Sequence, residues 1–174
     1  MHTLRKELQP DWEATEKLYP LILKRLQEYE TFWDAQPDDT PKEVFDKEYK
    51  AMETYLSKLT GKDLSDVWLW EWWESNGIEV FAFDLAMPFP KKHDNLTKND
   101  LKAVVEILKN NEFRCESEFQ EQFMIYMFYN HSYFCQFLKL NFPNFKYDFF
   151  CRKKDKNGNW QELSANEIME KIWR

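Results

Sequence analysis

The chain has 174 residues, 43% apolar and 18% aromatic, with a mean hydropathy of -0.75. That is enough material for one buried core, and no run approaches the roughly 18 to 20 apolar residues of a membrane helix. The net charge of -7 is uneven: residues 1–100 carry 13 basic and 21 acidic side chains, residues 101–174 carry 11 and 10. An acidic first half disfavours a nucleic-acid backbone there and suits a basic partner.

The residue types that carry chemistry are sparse. The three glycines (Gly61, Gly77, Gly158) lie far apart, so no phosphate-cradling loop is present. Cys115, Cys135 and Cys151 form no CxxC pair, and His2, His93 and His131 have no metal-ligand spacing. Free thiols in a reducing compartment are expected, and no cofactor. The charged start, HTLRKELQPDWE, lacks the apolar stretch of a signal peptide, so the reading is cytoplasmic.

In chain order, Trp12, Leu18, Tyr19, Ile22, Leu26, Tyr29 and Trp33 recur at helical steps over 11–34, with Pro20 marking either a start or a kink. After the acidic turn Gln36–Asp39, Thr40 as N-cap, Pro41 and Glu43 open a helix over 41–60 that stops at Gly61. These two helices, about 11–60, form a helical hairpin.

Residues 66–90, DVWLWEWWESNGIEVFAFDLAMPFP, hold four of the eight tryptophans. The spacing predicts a short helix with Trp68, Leu69, Trp72 and Trp73 inward, Glu71 and Glu74 outward, and Trp70 off the buried face as a surface anchor. Gly77 ends it. Ile78–Met87 then reads as a strand apolar on both faces and hence central in a sheet. Asp84 interrupts one face and needs either a partner there, Arg114 or Arg152, or a place at the strand end where water reaches it.

Thr97 with Asp100 starts a helix over 98–110, and Ser117 opens a further helical stretch over 117–140 that breaks near Asn130, with a strand at 122–129 as the alternative. Residues 145–153 and 159–163 read as a hairpin about Asn157-Gly158, and Ser164-x-x-Glu167 caps a terminal helix with Ile168 and Ile172 inward. The fold class is α+β: a predominantly helical single domain around a small, mainly antiparallel sheet.

Each chemical constellation has a simpler structural reading. Glu71, Glu74 and Asp84 beside tryptophans suggest a hydrolase, but glutamates on an outer helix edge solubilise it. His131 and Cys135, four apart, suggest a nucleophile pair, but among Tyr133, Phe134 and Phe137 they read as core. Arg152–Lys156 beside Phe149, Phe150 and Trp160 suggests stacking on a nucleic acid, but lysines also protect an edge hairpin from aggregation.

The most suggestive patch is an acidic belt: Glu28, Glu30, Asp34, Asp38, Asp39, Glu43, Asp46 and Glu48, interleaved with Tyr29, Phe32, Trp33, Phe45 and Tyr49. Charge steers an encounter and aromatics anchor a complex. Glu30, Trp33, Asp34, Asp38, Asp39, Glu43, Asp46 and Trp70 are the candidate partner-binding residues. No catalytic or metal-binding residue is expected.

In its size, acidity, aromatic richness and LWEWWESNGIEVFAF junction, the chain resembles the small bacterial immunity proteins of contact-dependent growth inhibition and other polymorphic toxin systems. The resemblance implies a cytoplasmic, non-enzymatic inhibitor, monomeric or weakly dimeric. Such a protein plugs a basic toxin domain, often a nuclease, in a one-to-one complex. It transfers no functional residue and implies no topology.

Overall fold

The computed structural model describes residues 4–72, 76–129 and 131–173. Seven α-helices lie among them: α1 (Trp12–Asp34), α2 (Lys42–Thr60), α3 (Ile78–Ala86), α4 (Lys98–Asn110), α5 (Glu118–Phe123), α6 (Tyr133–Asn141) and α7 (Ala165–Trp173). Two two-residue strands, β1 (Lys153–Lys154) and β2 (Trp160–Gln161), pair antiparallel with Lys153 opposite Gln161. The chain is thus mostly helical with a small antiparallel sheet. Where length alone suggests one core, it divides into two compact units, Asp11–Pro88 and Met1–Pro10 with Phe89–Arg174.

In the unit Asp11–Pro88, α1 begins where the Asp11 carboxylate accepts the Ala14 N–H at 3.0 Å. The helix runs through Pro20 rather than starting there. Helix α2 starts one residue later than expected, after Pro41, and Thr40 supplies no side-chain cap. It stops at Gly61, whose φ of +69° is the left-handed cap a glycine accepts freely. Ile22, Leu26, Met52, Leu56, Leu64 and Leu69 are almost fully buried in one cluster with Ala82, Leu85 and Ala86.

Two expectations fail in the middle of this unit. Ile78–Ala86 is a helix, not a central strand. A short run that is apolar all round fits a buried helix as well as a buried strand, and here the helix resolves the problem of Asp84. On a strand the acid would share the core face of Ile78, Val80 and Ala82; on α3 it is exposed while Val80, Ala82, Phe83, Leu85 and Ala86 are buried. Its charge acts on Lys62, and its exposure leaves it open to water.

The second failure is the tryptophan helix. Residues 61–71 form turns, and Tyr49 organises them: its hydroxyl donates to the Val67 carbonyl at 3.0 Å and accepts the Leu69 N–H at 3.2 Å. These bonds to a neighbouring helix compete with the local helical ones. Trp73, Glu74 and Ser75 lie outside the described residues, as do His2 and Asn130.

Lys62 closes α3. Its Nζ donates to the carbonyls of Asp84 (3.1 Å), Leu85 (2.9 Å) and Met87 (2.7 Å), groups that a helix C-terminus leaves without partners. Burial pushes the amine down to about 8, against the opposing charge of Asp84.

In the other unit, α4 carries the full capping box expected of Thr97 and Asp100. Asp100 is buried and also accepts Arg5 Nε at 2.8 Å. Burial raises its proton affinity, but the Thr97 and Arg5 bonds outweigh this and hold the carboxyl below the usual range. Ser117 caps α5, which tightens into a 3-10 turn at Met124–Phe128; the helical stretch is interrupted before α6 begins at Tyr133, as expected, and the strand alternative does not form. His131 precedes α6 and is exposed, so it does not share a helix face with the buried Cys135.

The long hairpin is also corrected. Tyr147–Phe150 is a 3-10 turn, and only the two-residue ladder remains. Its turn is as expected: Gly158 has φ +83° and the Asp155 carboxylate accepts the Asn157 and Asn159 N–H groups at 2.8 Å. The Ser164–Glu167 box caps α7, burying Ile168 and Ile172.

Lys62→Met is expected to lower stability by roughly 2 kcal/mol at pH 7, since three helix-end carbonyls lose an ionic donor. Between about pH 8 and the ordinary lysine value of about 10.4, the unfolded chain binds a proton that the folded chain does not. Lys62's contribution to stability therefore rises with pH across that window. Urea midpoints of parent and variant from pH 7 to 10 check this, and parallel pH profiles would contradict it.

Candidate functional site

An aromatic groove occupies one face of the unit Asp11–Pro88. Its larger part, about 590 Å³, is lined by residues of α1, α2 and the 65–70 turns, among them Trp33, Phe45, Asp46, Tyr49, Trp68 and Trp70. A smaller part, about 330 Å³, is lined by Tyr29, Glu30, Trp33, Asp34, Trp70 and Trp72. Tyr29, Trp33 and Trp70 line both, so the two parts adjoin across these rings.

The rings are held by one another. Trp33 sits against Phe45 with ring centroids 4.3 Å apart, and Tyr29 lies 6.3 Å from Trp33 and edge-on to Tyr49 at 6.0 Å. Such pairs add about 0.5–1.5 kcal/mol each beyond their buried area, so the groove wall is fixed in advance. Even so, Trp33 is 48% exposed, Trp68 64% and Trp70 37%. Three part-exposed indoles thus lie around one concavity, where exposed apolar residues are ordinarily scattered singly. Burial, then Tyr49 and after it the charges of Glu48 and Asp46, push the Tyr29 phenol up to about 12.

The structure sorts the acidic belt into three groups. Glu48 is bound to Arg25 at 2.6 Å, Glu28 lies 3.7 Å from Lys24, and Asp46 pairs with Lys42, whose Nζ is 2.7 Å from its Oδ1. Asp38, Asp39 and Glu43 are exposed in the inter-helix turn and first turn of α2, and do not line the groove. Glu30 and Asp34 do line it, and neither has an ion-pair or hydrogen-bond partner among the described residues. Of the eight candidates, then, Glu30, Trp33, Asp34, Asp46 and Trp70 come together, and Asp38, Asp39 and Glu43 do not.

Trp68 is the residue that sequence reasoning missed. Helical spacing buried it with Leu69, but in the turns Leu69 goes inward and Trp68 outward. The even spacing of Trp68, Trp70 and Trp72 is the signal that could have found it, since all three line the groove.

The unit Asp11–Pro88 holds 18 acidic and 8 basic side chains, a net -10 within a chain of -7. The remaining residues therefore carry +3, and there Arg152 is paired with Glu162 and Lys153 with Asp148. Trp160 is 65% exposed with Lys154 Nζ 5.1 Å from its ring centre. Cys135 is buried and its thiol pushed up to about 11, which opposes nucleophilic use. No cluster of metal-binding side chains occurs among the described residues, and no described helix is long and apolar enough to cross a membrane.

Compared with protein-family models, curated proteins and solved structures, the chain matches none of them.

Glu30 and Asp34 are like charges one helical turn apart at the C-terminal end of α1, whose last turn contains no basic residue. Both arrangements are unfavourable, by a few tenths to about 1 kcal/mol together. Glu30→Gln with Asp34→Asn is therefore expected to stabilise the free protein by up to roughly 1 kcal/mol at low salt. Thermal or urea unfolding reads this, and a loss of stability would mean that the carboxylates are already engaged.

Proposed function

We propose that this chain is a non-enzymatic, cytoplasmic interaction protein that binds a basic segment of a partner protein, and that it serves as an immunity protein neutralising a toxin domain. The observation that carries the proposal is the groove between α1, α2 and the 65–70 turns: pre-packed indoles edged by Glu30, Asp34 and Asp46, on a unit of net charge -10. Opposite charge speeds the encounter, and the tryptophans supply rigid anchoring area at small entropic cost. A pre-formed wall also limits the ordering cost of binding.

An inhibitor of this kind acts by occupation. It covers the partner's basic, substrate-binding surface and needs no reaction of its own. The three cysteines are free, in keeping with a reducing compartment.

The test is binding to the purified toxin domain of the same operon. A one-to-one complex is expected whose Kd rises steeply with salt. Trp68→Ala and the pair Asp34→Lys with Asp46→Lys should each weaken it at least about tenfold. Reversing Asp38 and Asp39, which lie off the groove, should change Kd by no more than about threefold. If the groove substitutions leave Kd unchanged, the site is elsewhere; if no complex forms and cells expressing the toxin are not protected, the immunity reading fails.

A further inference from the structure

We infer that the smaller end of the groove is an arginine pocket, accepting the guanidinium of one arginine of the bound partner. The inference rests on the docking reading above and names the anchor that reading leaves open.

At about 330 Å³, this end is near the lower limit of small-ligand sites, so it suits one long side chain rather than a folded segment. Its walls are the indoles of Trp33, Trp70 and Trp72 and the phenol of Tyr29, and its acids are Glu30 and Asp34. Trp72 and Tyr29 are 6% and 3% exposed, so the recess is backed by fixed rings, while Trp33 and Trp70 form part-exposed lips. Aromatic faces attract cations, and more strongly when water is displaced. Among the described residues no lysine or arginine lines this part, whereas in the larger part Lys42 already pairs with Asp46.

The choice among cations follows from shape. Guanidinium is planar and weakly hydrated, so it can lie flat on an indole while its edge donates to carboxylates. Its five N–H donors can serve two carboxylates one helical turn apart. Ammonium is a strongly hydrated point charge and stacks poorly. An apolar side chain would cover Glu30 and Asp34 without giving them a partner, which is costly. An incoming cation also relieves the repulsion between these acids and the negative end of α1.

The test uses the full chain and three capped tripeptides, acetyl-Gly-Xaa-Gly-amide, with Xaa arginine, lysine or citrulline, the last a neutral isostere of arginine. Binding is followed by the indole N–H resonances of Trp33, Trp70 and Trp72. The arginine peptide should move these signals with a Kd roughly tenfold below that of the lysine peptide, and the citrulline peptide should not move them. Glu30→Gln with Asp34→Asn should reduce arginine binding to the lysine level while the protein stays folded, with a thermal midpoint at or above the parent's. Equal binding of arginine and citrulline, or an arginine preference that survives the double substitution, overturns the pocket. If Trp68→Ala weakens the toxin complex while the tripeptides show no arginine preference, the pocket is wrong and the docking reading stands. If groove substitutions leave that complex unchanged, the docking reading falls and this inference with it.

Discussion

Helix α3 sets the terms for the unit around it. Its nine residues contain two acids and otherwise only apolar side chains, so nearly its whole circumference needs cover. The first half of α1 supplies much of it, with Trp12 stacked on Phe83 at 6.1 Å and Thr15 reaching Met87. Burying Val80, Phe83 and Leu85 contributes roughly 1.5–3 kcal/mol per large side chain, which outweighs holding the Lys62 ammonium partly out of water. In the last third of α1, Tyr29, Phe32 and Trp33 also pack on Phe45 and Tyr49 of α2, while Tyr29 stays in the buried cluster with Ala82 and Leu85. One helix thus serves the core with its beginning and the groove with its end.

The groove sets fixed rings beside unfavourably placed charges. Its rings are fixed by packing, and its charges sit where the free protein is better off without them. Aromatic contacts supply stability, and Glu30 and Asp34 forgo some of it. An acid placed only for solubility could sit anywhere on the surface, and Glu28 and Glu48 show the alternative, each beside a cation on α1.

What was legible in the sequence was what is decided locally. The capping boxes at Thr97–Asp100 and Ser164–Glu167, the stop at Gly61 and the turn at Gly158 depend on a few neighbouring residues, and all four are present. What failed depends on distant partners. The helical state of Ile78–Ala86 follows from how much cover α1 offers, which no local pattern records. The turns at 61–71 exist because the Tyr49 hydroxyl, some twenty residues earlier, takes up their backbone groups. The expected hairpin strands gave way to a 3-10 turn because alternation over Phe145–Lys153 does not by itself supply a partner strand. The site was half legible. Interleaved acids and aromatics located Glu30, Trp33, Asp34 and Asp46 on the right helices, yet only packing separates these from Asp38, Asp39 and Glu43.

The path of the chain carries a consequence for the order of assembly. Segment 4–10 belongs with residues 89 onward: Leu8 is fully buried, Tyr133 Oη donates to the Gln9 carbonyl at 3.2 Å, and Arg5 reaches Asp100. Those partners lie 95 to 124 positions away. On the ribosome, segment 4–10 must therefore wait while the whole unit Asp11–Pro88 emerges. Closing so long a loop is slow when its interior is unstructured and easier once that interior has become compact. The acidic, groove-bearing unit is then the early product of synthesis, and the unit built from both ends of the sequence is the late one.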